Sequence, residues 1–277
     1  MIRIATFLCS IFILFNLSGH AQDSTLHLAK PVKTIQTEPI RTVSVDPYFN
    51  FYIATEKGNI SKYDAEGNYM VTFSPTKNSE VTLLEAWRNV NIFVFYRNFQ
   101  EYLFLNRFLT ESPNLRFHRE TAGFIRMATP SADNNLWIID DRDFSLKKIN
   151  LKLNQIEYQN TLDMVLNPNQ YDLNFMREHQ NLLFINDKNS GILIFDNMVN
   201  YKSKLPFKGI EYFNFFNNYI YFLHNNKLVF YHIYKHKSYE LLLPEGKYNF
   251  ALASENKVAL FSNNFIYLYN IRMPAEK

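Results

Sequence analysis

A pair of short apolar runs returns six times along this 277-residue chain. The first member reads NFYIAT (50–55), IFVFY (92–96), LWIID (136–140), LLFIND (182–187), YIYFLH (219–224) and KVALFS (257–262). The second follows after a short turn as NISKYD (59–64), EYLFLN (101–106), SLKKIN (145–150), GILIFD (191–196), KLVFYH (227–232) and FIYLYN (265–270). Five of the second members end in Asp or Asn, as if each ran into the same turn. A less regular run precedes each pair: TVSVD (42–46), LLEAW (83–87), IRMAT (125–129), NFMREH (174–179), YFNFF (212–216) and NFALA (249–253). The spacing of about 40 residues is that of the four-stranded blades of a β-propeller, with these runs as inner strands. A sandwich or barrel also places strands every ten residues or so, but gives no reason for the longer period.

An outer strand follows each pair in five units, as YMVTF, LRFHR, IEYQN, YKSKLPF and YELLL. The sixth unit lacks one, because the sequence stops soon after FIYLYN. An extended run near the start, KPVKTIQTEPI (30–40), has no unit of its own. A ring must close to avoid an exposed edge. One spare strand and one missing strand therefore predict an all-β, six-bladed β-propeller whose last blade is closed by the N-terminal strand, with 33–37 pairing to FIYLYN. Only 161–170 allows a turn of helix.

The first residues read as an export leader. Arg3 precedes an apolar run from Ile4 to Leu17, and Gly19 and Ala21 are small residues where a signal peptidase reads. Residues 1–21 are thus expected to be a signal peptide and 22–277 the propeller domain. The apolar run is shorter than the ~20 residues a membrane span needs, so no transmembrane segment is expected after cleavage. Cys9, the single cysteine, lies in the leader and lacks the small residues expected before a lipobox cysteine. The mature chain then has no disulfide, no thiolate metal ligand and no Cys nucleophile. Losing Arg3 lowers the net charge from +3 to +2, which is no footprint for nucleic acid.

With 26 Phe and 18 Tyr the chain favours strands, while 7 Gly are few for so many turns. Asparagine takes over that role. The pairs at 134–135, 217–218, 225–226 and 263–264 each separate two apolar runs, and Asn tolerates the left-handed conformation of tight hairpins. A low-GC genome would enrich Asn, Lys, Phe, Tyr and Ile as well.

GNISKYDAEGNYMVTF, through Asp64, Gly67 and 69–73, resembles the repeat of NHL-type and TolB-like six-bladed propellers. In that repeat a strand ends in -YD- or -FD-, followed by a Gly-containing turn and an outgoing strand. LIFDN (193–197) repeats the pattern without the glycine. The resemblance implies the fold. It implies little about function, because such propellers serve as sensors, scaffolds and enzymes. The leader ending in AQ and the amino-acid bias resemble those of exported Bacteroidota proteins.

Propeller hydrolases of the lactonase type hold calcium in the central channel. The polar inner-strand residues here are Glu85, Arg126, Arg177, Glu178, Asn214 and Ser254. Two arginines compete for the two carboxylates, so ion pairing is expected rather than a metal site. DDRD (140–143) lacks the ligand alternation and turn glycine of a calcium loop and reads as a solvated hairpin turn. His232 and His236 fall on a strand end and a turn. No G-x-S-x-G elbow, P-loop or dinucleotide fingerprint is present, and no cofactor is expected.

Loop aromatics Tyr48, Phe49, Tyr171 and Tyr248 are candidates for a recognition surface. The sequence thus favours an exported, monomeric binding or scaffold module in the periplasm or outside the cell. It would contact an envelope protein or a glycan on one rim. The alternative is a channel-mouth hydrolase or lyase using Glu85 and Arg177.

Overall fold

The computed structural model describes residues 26–272 apart from 29, 89, 111 and 112. The leader and its expected cleavage point lie outside the described residues. Six sheets, each built on four antiparallel strands, follow one another around a ring. Blade 1 consists of Ile40–Val45, Phe51–Thr55, Ile60–Tyr63 and Tyr69–Phe73. Blade 2 is Leu83–Glu85, Asn91–Tyr96, Glu101–Asn106 and the two-residue Leu115–Arg116. Blade 3 is Ile125–Pro130, Leu136–Asp140, Ser145–Asn150 and Gln155–Thr161. Blade 4 is Leu173–His179, Leu182–Asp187, Gly191–Asp196 and Tyr201–Leu205. Blade 5 is Phe213–Phe216, Tyr219–His224, Lys227–His232 and Ser238–Leu242.

Blade 6 takes Phe250–Ala253, Lys257–Phe261 and Phe265–Asn270 from the end of the chain and Lys33–Gln36 from its beginning. The closing strand is antiparallel, with Lys33 opposite Leu268 and Ile35 opposite Ile266. The expected closure is therefore present in the expected register region. One strand was not foreseen: Leu26–His27 adds in parallel to the outer edge of blade 5. Two residues carry no alternation to read. The segment 161–170 forms successive turns rather than a helix, with one helical bond from Leu166 N–H to the Leu162 carbonyl at 2.8 Å.

Burial explains why the second strands were the most legible. Phe51–Thr55 and Leu136–Asp140 are buried at every position, because neighbouring blades cover both faces. Gln155–Thr161, on the rim, is exposed at every position.

The recurring strand end has a defined chemistry. Asp64 Oδ1 accepts from the N–H groups of Glu66 at 3.0 Å and Asn68 at 2.7 Å, and its Oδ2 from Asn68 Nδ2 at 2.9 Å. Asp46 and Asn50, and Asp196 and Asn200, repeat all three bonds. Asn106 and Thr110 form the same ring with an amide in place of the carboxylate. In each turn the fourth residue is left-handed: Phe49 at φ 61°, Gly67 at 74°, Leu109 at 56° and Val199 at 68°. Positive φ disfavours bulky side chains. Here Phe49, Leu109 and Val199 are all buried, so apolar burial outweighs the backbone penalty.

Gly67 is the exception, for a local reason. Its turn lies on the closing seam, where a Cβ would come within 2.5 Å of Leu268 Cδ1 and 2.9 Å of Ile35 Cδ1. Lys33 Nζ also bonds Asn68 Oδ1 there at 2.8 Å. The glycine behind the first-blade resemblance is thus required by ring closure, and the other blades have no such seam to clear.

Burial tends to raise the Asp64 and Asp196 carboxyls, but the turn N–H bonds win and both lie below 3.8. Such groups stabilise the fold above their unfolded value, and the contribution is lost as pH falls through the lower folded value. Asp64→Asn/Asp196→Asn is therefore expected to lose less Tm than the wild type between about pH 5 and about pH 2. Equal losses would show that these turns do not carry acid lability. The Asn106 turn indicates that Asn is tolerated at this position.

Candidate functional site

The strand order gives the disc two faces. Loops from first to second and from third to fourth strands lie on one face. Loops from second to third strands, and those between blades, lie on the other. On this second face opens a cavity of about 880 Å³. It is built from blades 4, 5, 6 and 1, with Thr82 of blade 2 at its edge.

Its floor is aromatic and then ionic. Tyr212 packs on Phe175 at 4.7 Å between ring centres and edge-on to Phe250 at 5.5 Å. Beneath them Arg177 donates through Nε to both Glu85 oxygens, at 3.0 and 2.9 Å. Its Nη2 lies 2.9 Å from Oε2 as an ion pair off the hydrogen-bond axis. Nη1 donates to the Tyr212 hydroxyl at 3.4 Å. The pair spans from blade 2 to blade 4 across the axis, with Glu85 1% and Arg177 2% exposed. Burial pushes the Glu85 carboxyl up to about 7, against the pull of Arg177. Burial pulls the guanidinium down, but Glu85 and Tyr212 more than offset that, and its net shift is upward. Together these groups plug the channel.

The other channel carboxylate, Glu178, is likewise engaged. It accepts from Ser131 Oγ at 2.6 Å, from Ala132 N–H at 2.9 Å and from the Trp137 indole. Arg126 points to the rim: its Nε donates to Asp141 at 2.7 Å and its Nη2 to the Tyr171 hydroxyl at 3.1 Å. Its guanidinium also stacks 5.1 Å over the Tyr171 ring. Arg126 and Tyr171 thus form one unit beside the cavity rather than within it.

The DDRD segment differs from a solvated turn. Asp140 is fully buried and accepts from Lys147 Nζ at 2.6 Å and from Gly123 N–H at 2.7 Å. Asp143 meets the same lysine at 2.8 Å. The missed signal was Lys147 itself, at an inward position of a buried strand. Among the described residues, no group of three or more His, Cys, Asp or Glu side chains is placed to hold a metal ion.

The loop aromatics separate. Tyr248 lines the cavity, edge-on to Tyr267 at 5.8 Å. Tyr48 stands exposed on the opposite face. Phe49, expected on a surface, is buried, because its left-handed turn folds the ring under the blade.

Sequence reading missed most of the cavity wall. Lys208 and Lys247 line it with no carboxylate at ion-pair distance among the described residues. Lys188 is tied to Glu211 at 2.7 Å. The amides of Asn225, Asn226, Asn249 and Asn263 also line it and make no side-chain hydrogen bond to a described residue. These groups sit on separate loops and form no motif.

No family model and no curated protein matches the chain. Solved structures do. A streptogramin B lyase aligns over 87% of this chain and 85% of its own, at 14% identity and a TM-score of 0.55. The extracellular domain of a one-component system from B. thetaiotaomicron aligns over 86% of this chain and 34% of that one, at 14% identity and TM-score 0.55. The Cps50 (Swd1) β-propeller domain of Myceliophteria thermophila aligns over 87% and 99%, at 10% identity and TM-score 0.58. At these identities the likeness is one of fold: the chain is a six-bladed β-propeller.

Proposed function

We propose that this protein is an exported binding module whose partner, a glycan segment or a protruding loop of an envelope protein, enters the open mouth between blades 4, 5, 6 and 1. One observation carries this reading. A cavity of about 880 Å³ is lined by two lysines and four side-chain amides that make no ion pair or side-chain hydrogen bond among the described residues. Polar groups that serve no internal bond stay solvated until a ligand replaces the water. The volume lies in the range of sites for small ligands and chain segments. The leader supports export to the periplasm or the outside, and the first-blade repeat and amino-acid bias support an NHL- or TolB-like protein of Bacteroidota type.

A catalytic reading has the likeness to a streptogramin B lyase in its favour. Against it, Glu85 and Arg177 are bound to each other beneath the aromatic floor, where neither reaches a substrate. Binding therefore accounts for the site better than catalysis.

Affinity capture from the native envelope tests the reading. The chain from Gln22 onward should retain a specific component, and Lys208→Glu/Lys247→Glu should retain roughly tenfold less of it. Equal capture by the two proteins would remove the cavity from the account.

A further inference from the structure

The face opposite the cavity carries a different feature. Every blade presents a large apolar side chain there at a loop tip: Tyr48, Phe108, Leu153, Met198, Tyr234 and, ahead of the closing strand, Val32. Blade 2 adds Val90, on the loop between its first and second strands. All are between 52 and 71% exposed. Three of these positions are fixed by turns already described, and two by related ones. The N–H groups of Tyr48, Phe108 and Met198 are held by the Oδ1 atoms of Asp46, Asn106 and Asp196, two residues back. Tyr234 N–H donates to His232 Nδ1 in the same relation, and Leu153 N–H to Asn150 Oδ1. The cavity face exposes fewer, chiefly Phe99, Phe124 and Met164.

We propose that this face docks on a lipid surface bearing anionic headgroups. The apolar tips are spread around the ring on separate turns, one to a blade, which suits a broad surface such as a bilayer. A protein interface instead concentrates its anchors in a packed centre. Apolar and aromatic tips enter the headgroup boundary, and neighbouring Lys and Arg meet the phosphates. Basic residues stand next to several of these tips in the chain: Arg107 precedes Phe108 and stacks on its ring, Lys152 precedes Leu153, Lys235 follows Tyr234, and Lys30 lies two residues before Val32. Docking in this way turns the cavity away from the membrane. The inference goes beyond the cavity's role and does not depend on it.

The chain from Gln22 onward contains every described strand of the ring, so it is the form to test, free of the apolar leader. It should co-sediment with phosphatidylcholine vesicles holding about 30% phosphatidylglycerol, and more weakly with phosphatidylcholine alone. Tyr48→Ser/Phe108→Ser/Leu153→Ser/Tyr234→Ser should bind at least roughly tenfold more weakly. Arg107→Glu/Lys152→Glu/Lys235→Glu, which keeps the tips, should lose the preference for anionic vesicles. Measured against the signal of the native Trp87 and Trp137, Phe108→Trp should add fluorescence that blue-shifts on vesicle addition, while the fluorescence added by Phe99→Trp, on the other face, should not. A wild-type chain that stays in solution with both vesicles overturns the proposal. So does an equal shift at both tryptophans, or retention of an envelope protein by this face without lipid.

Discussion

A chain lacking residues 22–37 is expected to aggregate rather than to fold with a modest loss of stability. Those residues include Lys33–Gln36, the outer strand of blade 6, which pairs along Phe265–Asn270. Without it the backbone edge of that strand is open, and an open apolar edge recruits other chains. The loss reaches beyond one strand. Gly67 and Asn68 of blade 1 pack on Ile35, Leu268 and Lys33, and Lys257 of blade 6 bonds the Ala65 carbonyl at 2.8 Å and Glu66 at 2.7 Å. Deletion thus removes the closing strand and loosens the contact between the first and last blades. Set against the ~5–15 kcal/mol that holds a domain folded, a loss of several kcal/mol suffices. Recovery of soluble monomer melting with the undeleted chain would mean that the ring is not closed in this way.

The second large effect is expected at the channel plug. Arg177→Met leaves Glu85 buried without its partner, and breaking such a pair costs about 3–5 kcal/mol. Replacing both partners, as Glu85→Leu/Arg177→Met, removes both desolvation penalties and should recover most of that loss. Denaturant melts of the two single variants and the double complete a cycle in which the effects are strongly non-additive. Additive effects would show that the two groups do not act as a pair.

The blades were legible because their signal is local. A second strand covered on both faces reads as an unbroken apolar run, as in LWIID and LLFIND, and its recurrence sets the blade count. The closing strand was legible by subtraction, since one unit lacked a strand and one run lacked a unit. The Asn pairs were read correctly at Asn134, Asn217, Asn225 and Asn226, which have positive φ. The left-handed Phe49, Leu109 and Val199 escaped notice, because their conformation is stabilised by burial that no turn rule contains.

The site was legible only in its polar core. Inner-strand position alone brought Glu85 and Arg177 together, and the competition of arginines for carboxylates predicted their pairing. The cavity wall was not readable. Lys208, Lys247 and the amides lie on loops of several blades, and only the closed ring makes them neighbours. Asp140 reads as a solvated turn within DDRD alone, because the one sign of its burial, Lys147 at an inward position, lies in the next strand.

Closure of the ring places every loop on its face, so it is the claim to test most directly. Thr34 and Tyr267 stand opposite each other across the seam. Directly opposed strand positions are close enough for a disulfide, and the chain from Gln22 onward contains no cysteine of its own. The Thr34→Cys/Tyr267→Cys protein should form an intramolecular bond on mild oxidation while folded, and lose it only on reduction. Two free thiols in the folded, oxidised protein, or a bond from position 34 to a cysteine placed at Tyr158 of blade 3 instead, would contradict the closed six-bladed ring.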